Sequence, residues 1–230
     1  MTRFVFLASS ILAITRLCPA GPCGTGSLAS YVALGTAGCS IGVNTLSNFV
    51  VLSGTAGAIP ISAADVTITP IGNSDNPGMN AAANVTVTAG ALLETFFTYQ
   101  ISGQPYVRDS IALAGSTQSS DGAVTDVQNF CAGGTFGPDG VTGCNGSPGS
   151  LTALNGVQNR DSTSLGPAAF LSVTDDFTID GGLTGSASGG NISDQFAAIP
   201  EPAAVLLVVI GFALALGLKS RSSSASSFRR

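Results

Sequence analysis

The sequence predicts a mainly β protein: an antiparallel β-sandwich ectodomain of about nine short strands with one short N-terminal helix, followed by a single C-terminal transmembrane helix. Three observations lead there. After Gly42 the apolar residues recur with a period of two, in runs rich in Val, Ile, Thr, Phe and Tyr. Clusters of Gly, Asn, Asp and Pro punctuate these runs at short intervals. No long amphipathic helical pattern interrupts them, and sheets that are apolar on one face bury it most simply against each other.

Pro22 to Ser27 is a turn-rich entry. Leu28, Tyr31 and Val32 stand at i, i+3 and i+4 behind Ser27 as an N-cap, and Gly35 follows as a stop, so a short helix is expected over Ser27–Leu34. Strands are expected at Thr45–Ser53, Asp65–Ile71, Asn84–Thr88, Glu94–Ser102, Ile111–Ser116, Ala123–Cys131, Ser150–Leu154, Phe170–Ile179 and Ala187–Phe196. Gly54 with Gly57, the stretch Asn73 to Gly78, and Ala89-Gly90 read as the turns between the first of them. A β-barrel or an irregular β-solenoid is the alternative packing, and the lack of a fixed repeat period weighs against the solenoid.

The two ends read as export signals. Arg3 precedes an eleven-residue apolar run, Phe4 to Ile14, too short to span a bilayer and suited to a signal peptide over residues 1–20 with cleavage after Ala20. Arg16 and Leu17 ahead of Cys18 do not suit a lipoprotein signal. The ectodomain then occupies residues 21–198. In the last segment, residues 199–230, Pro200-Glu201-Pro202 forbids helix up to its own end, because proline lacks the N–H donor and disfavours helix before it. Residues 203–218 carry no charge, and as a helix they measure roughly 24 Å, the short end of what a bilayer core requires. Lys219 and Arg221 follow as the membrane stop, which by the positive-inside rule keeps that end cytoplasmic and the body outside.

This order of Pro-Glu-Pro, apolar helix and basic end resembles the PEP-CTERM sorting signal of Gram-negative bacteria. The chain runs on past Arg221 through a Ser-rich stretch to Arg229 and Arg230, where that family usually stops sooner. The resemblance implies export by the Sec machinery and passage through the inner membrane. It also implies processing at Pro200, Glu201 and Pro202 by an exosortase, a membrane cysteine protease, and a final place at the cell surface or in a biofilm's exopolysaccharide matrix. Ser27 to Gly42, with Leu46 to Phe49, also resembles the start of a group of PEP-CTERM ectodomains that brings no activity with it.

Five cysteines occur, and removal of Cys18 with the signal peptide leaves Cys23, Cys39, Cys131 and Cys144, an even number suited to an oxidising compartment. Three pairings are open. Cys23–Cys39 with Cys131–Cys144 is preferred because each pair is close in sequence and brackets a Gly-rich stretch. Zinc is not expected, since neither a C-x-x-C motif nor any His is present.

Charged residues make up 9% of the chain, and between Leu17 and Ile199 only Arg108 and Arg160 are basic, against twelve acids. Such a body repels phosphate backbones, which excludes nucleic acid as an expected partner. Without His there is no Ser-His-Asp or Cys-His catalysis, and the sole lysine, Lys219, stands beyond the apolar run, away from any Ser-Lys dyad in the body. Paired carboxylates would serve glycoside hydrolysis, but Glu94 is the only glutamate before the sorting motif and no Trp is present to stack on sugar.

Calcium takes oxygen ligands, and Asp175, Asp176 and Asp180 gather near the Asp180-Gly181-Gly182 turn, while Asn73, Asp75 and Asn76 form a second oxygen-rich loop. Neither matches a calcium-loop spacing. These residues are therefore read as turn formers and edge charges, and neither a metal nor another cofactor is expected. The functional expectation is a non-enzymatic, exported structural or adhesive protein of the envelope or matrix. A carbohydrate-binding module is the alternative, with Tyr31, Tyr99 and Tyr106 as the tyrosines available to stack on sugar, and a secreted hydrolase is the third reading.

Overall fold

The computed structural model describes residues 20–199. Nearly all of the expected signal peptide, the Pro200-Glu201-Pro202 motif, the 203–218 run, and Lys219 with Arg221 lie outside the described residues. Within them the protein is mainly β, antiparallel and sandwich-like. Its single helix, α1 (Leu28–Val32), starts as expected at Ser27, whose Oγ accepts from the Ser30 N–H at 3.2 Å. No helix among the described residues is long and apolar enough to cross a membrane.

The described residues form fourteen strands, and two of them are far longer than expected. β1 (Gly26–Ser27), β2 (Cys39–Ile41), β3 (Asn44–Val51), β4 (Ile59–Pro60), β5 (Val66–Gly72), β6 (Pro77–Ala83) and β7 (Thr86–Thr88) lead into β8 (Leu92–Ala114). β9 (Thr117–Ser119), β10 (Ala123–Ala132) and β11 (Ser147–Leu154) precede β12 (Arg160–Asp180), and β13 (Ser186–Ser188) and β14 (Asn191–Ala198) complete the set.

Separate strands expected at Glu94–Ser102 and Ile111–Ser116 are one strand, β8. Its Gly103-Gln104-Pro105 reads as a turn but acts as a bend. Gly103 has φ +142°, and a Cβ there would stand 2.9 Å from the Asn44 Cα and the Val43 carbonyl. β12 bends likewise at Gly166-Pro167, where its register against β8 shifts. Asn73 to Gly78 is a shorter turn than expected, since β6 already starts at Pro77. The strand expected over Asn84–Thr88 shrinks to β7, and Gly189-Gly190 divides Ala187–Phe196 between β13 and β14.

Both long strands serve two layers. The first half of β8 pairs with β3 and with the second half of β12, and β12 goes on to β10 and then β11. The second half of β8 pairs with β14 and with the first half of β12, and β14 continues to β6, β5 and β1. Strands that change layer through bulges make the corners of such a sandwich. A small separate sheet, β7-β13-β9, lies beside them.

Between the layers sits an aromatic core. Tyr31 packs edge-on to Phe49 at 5.1 Å, Phe49 stacks on Tyr99 at 5.3 Å, and Phe196 meets the edges of Tyr99 and Tyr106 at 6.5 and 6.0 Å. Each such pair adds about 0.5–1.5 kcal/mol to the area it buries. The two disulfides are the preferred ones, Cys23–Cys39 and Cys131–Cys144, with Cα atoms 4.8 and 5.6 Å apart. In the chain-entropy view each stabilises the fold by about 3 kcal/mol.

Candidate functional site

The sugar-stacking role expected of the tyrosines is overturned by their burial. Tyr31 is 3% exposed, and Tyr99 and Tyr106 are fully enclosed. Each hydroxyl has an internal acceptor: the Gly24 carbonyl for Tyr31, the Asp194 carboxyl for Tyr99, and the Asn44 side-chain oxygen for Tyr106. Their rings are large apolar bodies whose polar tips are satisfied inside, so they form core rather than binding platform.

The three acids near the Asp180 turn are not brought together. Asp175 and Asp176 are neighbours on a strand and point to opposite faces. Asp175 is fully buried between the layers, so it is neither a turn former nor an edge charge. Asp176 is half-buried on the outer face and lies within hydrogen-bonding reach of Glu94; burial first, and then Glu94, push its carboxyl up to about 6. Asp180 ends β12 and accepts the Gly182 N–H, a turn role as expected. Asn73 likewise caps its own loop, its Oδ1 accepting the N–H groups of Asp75 and Asn76.

Glu94 lines a cavity of about 340 Å³ together with Thr95, Phe96, Pro60 and Ile61, and the Thr55 N–H and hydroxyl both bond Glu94.

Asp175 has different companions. Asp126 on β10 and Asp194 on β14 each place a carboxylate oxygen so that all three acids' oxygens lie within 4.8 Å of one another. Asp126 and Asp175 are 0% exposed and Asp194 is 1% exposed. Asp109, on the second half of β8, is a fourth buried acid beside Asp194. Burial, followed by the neighbouring carboxylates, holds Asp109, Asp126 and Asp175 well above the usual carboxylate range. Asp194 is pushed up to about 6 by burial, opposed by the neighbouring Asp175 and by the hydrogen bond from Tyr99.

Sequence reasoning missed Asp109, Asp126 and Asp194. Their signal is parity: Asp126 stands two residues from Val124, Asp194 lies between Ile192 and Phe196, and Asp109 precedes Ile111 and Leu113, all apolar positions on the inward face.

On the outer face of the second layer is a groove of about 610 Å³ lined by Arg108, Arg160, Asn76, Ser110, Ser193 and Gln195, among others. It holds both basic residues of the described chain. The Arg108 guanidinium donates to Ser162 Oγ at 2.9 Å.

No protein-family model and no curated protein matches the chain. Among solved structures it is similar to TmCBM61 in complex with β-1,4-galactotriose, at 8% identity and TM-score 0.26 over 64% of this chain and 86% of that one. It is similar to the enzymatically active domain of bacteriophage CBA120 tailspike protein 4, at 17% identity and TM-score 0.27, over 68% of this chain but only 19% of that one. It is also similar to Trichoderma harzianum endoglucanase 3 of family GH12, at 11% identity and TM-score 0.21, over 66% of this chain and 96% of that one. At these scores none of the three carries an argument about what this chain binds or does.

Proposed function

We propose that this chain is an exported, exosortase-sorted protein of the cell envelope or the exopolysaccharide matrix, with a structural or adhesive role and no chemistry of its own. The observation that carries the reading is the pair of disulfides, Cys23–Cys39 and Cys131–Cys144, in a domain whose sequence is bracketed by two export-like ends. Disulfides persist outside the reducing cytosol, and they suit a glycine-rich domain that has to survive there. The Pro200-Glu201-Pro202 motif and the run after it support the sorting step. Fractionation tests the reading. In a host with an exosortase the protein moves to the outer surface or medium, and in the same host without the enzyme it stays with the inner membrane. The same distribution in both hosts refutes the sorting role.

The outer groove favours a second reading, carbohydrate binding, at a place the tyrosines did not mark. A shallow surface with two guanidinium groups, hydroxyls and amides suits an acidic polysaccharide, because a guanidinium grips a carboxylate through two parallel hydrogen bonds. Co-sedimentation with an anionic matrix polysaccharide, lost in the Arg108→Ala, Arg160→Ala double variant, supports this reading. Equal sedimentation of both proteins, or of neither, returns the role to structure alone.

A further inference from the structure

We propose that Asp126, Asp175 and Asp194, together with the Gln128 side-chain oxygen, bind one calcium ion between the two layers of the sandwich. Geometry is the first ground. Calcium–oxygen distances run about 2.3–2.6 Å, so ligands on opposite sides of one ion stand about 5 Å apart. One carboxylate oxygen from each of the three acids lies within 4.8 Å of the other two.

The second ground is the polar groups left unpartnered around them. No protein group donates a hydrogen bond to either oxygen of Asp126, to either oxygen of Asp175, or to Asp194 Oδ1. Gln128, itself 0% exposed, has neither side-chain amide atom paired. It stands directly opposite Asp175 in the β10–β12 ladder, two residues along β10 from Asp126 on the same inward face. A neutral amide oxygen on the same inward face as three carboxylates, each with at least one oxygen that no protein group partners and all sealed from water, is a ligand set awaiting a cation.

The third ground is charge. The described chain offers no cation to these acids, since Arg108 and Arg160 are exposed on the outer groove. The groups that face the cluster are Asp109 and Tyr99 from β8, Asp126 from β10, Asp175 from β12 and Asp194 from β14. All are acids or a phenol. One divalent ion offsets three carboxylates to a residual of one negative charge. Tyr99 donates to Asp194 Oδ2 at 2.9 Å, which fixes that carboxyl and leaves Oδ1 for the ion. Asp109 stays beside the site, next to Asp194, and is not among the proposed ligands.

The ligand chemistry selects the ion. Oxygen donors alone, with no imidazole or thiolate among them, suit a hard cation rather than zinc. Magnesium keeps several of its waters and demands strict octahedral geometry, whereas calcium accepts an irregular cage of protein oxygens in a dry interior. Asp126 and Asp175 belong to one layer and Asp194 to the other, so the ion acts as a staple across the sandwich, as the disulfides do within loops.

The test uses the full chain purified in detergent micelles, with metal content read by plasma mass spectrometry and thermal unfolding followed in calcium and in excess EGTA. The expected result is about one calcium per chain and a melting temperature about 5–10 °C lower in EGTA at neutral pH. That difference shrinks near pH 4, where protons compete for the same oxygens. Asp126→Asn and Asp194→Asn each abolish both the bound calcium and the EGTA shift, while Asp75→Asn, in an exposed loop, keeps both. If the aspartate variants fail to fold, the unmodified chain decides alone. Less than about a tenth of a calcium per chain, with the same melting temperature in calcium and EGTA, overturns the proposal and leaves a cluster of protonated acids.

Discussion

The Tyr99 hydroxyl donates a 2.9 Å hydrogen bond to Asp194 across the interior of the sandwich, joining the first half of β8 to β14. Among the described residues it is the one hydrogen-bond donor to the carboxylates of Asp126, Asp175 and Asp194. Tyr99→Phe keeps the ring that stacks on Phe49 but leaves Asp194 Oδ2 unpaired. A loss of about 1–3 kcal/mol is expected, seen as a melting temperature lower by several degrees. Tyr31→Phe, whose hydroxyl bonds the Gly24 carbonyl near the surface, is the milder comparison, at about 0.5–1.5 kcal/mol.

The buried acids give the calcium-free protein an unusual response to pH. A carboxyl whose folded pKa is raised favours the folded state at low pH and loses that advantage as pH climbs through its folded value. Asp194 and Asp176, both pushed up to about 6, place the loss between about pH 4 and pH 7. Asp121 and Asp139 act in the opposite sense. Hydrogen bonds from Leu183 and Thr184 to Asp121, and from Thr142 and Val141 to Asp139, hold their carboxyls below the usual range, and that stabilisation goes only under more acid conditions. In EGTA the melting temperature is therefore expected to peak near pH 4–5 and to fall by about 5 °C or more towards pH 7. A curve that rises from pH 5 to pH 7 in EGTA contradicts the burial of these groups as acids.

Gly103 tests the bend that lets β8 serve both layers. Alanine there adopts φ +142° at a cost and drives its Cβ against the Asn44 backbone. Asn44 is itself buried and tied to Ser74, Tyr106 and Gln104, so it has little room to yield. Gly103→Ala is expected to destabilise by about 2–4 kcal/mol in urea unfolding, while Gly57→Ala, with open space around it, costs less.

The Cys131–Cys144 bridge closes the loop whose Gly140 carbonyl accepts the Thr174 hydroxyl on β12. Replacing both cysteines with serine is expected to cost about 3 kcal/mol. The loop then becomes the first site of limited proteolysis, which peptide mapping of the early fragments reads directly.

Much of this architecture was legible because local chemistry and tertiary need agreed. Ser27 caps α1, the cysteines pair with near neighbours, and Ala123–Cys131 alternates so cleanly that β10 lies within one residue of its expected bounds. What failed had a common cause. Gly103-Gln104-Pro105 and Gly166-Pro167 carry turn residues, and only pairing partners distant in sequence turn them into bends in continuous strands. The tyrosines are the residues available to stack on sugar in the carbohydrate-binding alternative, yet each tip has an acceptor inside. Asp175, expected as a turn former or edge charge, sits at the inward parity of Val173 and Phe177. An acid at an apolar parity position on four separate strands is the available signal.

The mass of the mature protein tests the proposed export and sorting most directly. Intact mass spectrometry of the protein from an exosortase-bearing host is expected to show a species without the residues up to Ala20 and without the segment after Pro200-Glu201-Pro202. That species should be lighter by the four hydrogens that two disulfides remove. A full-length mass with free thiols, identical in a host lacking the exosortase, contradicts the account.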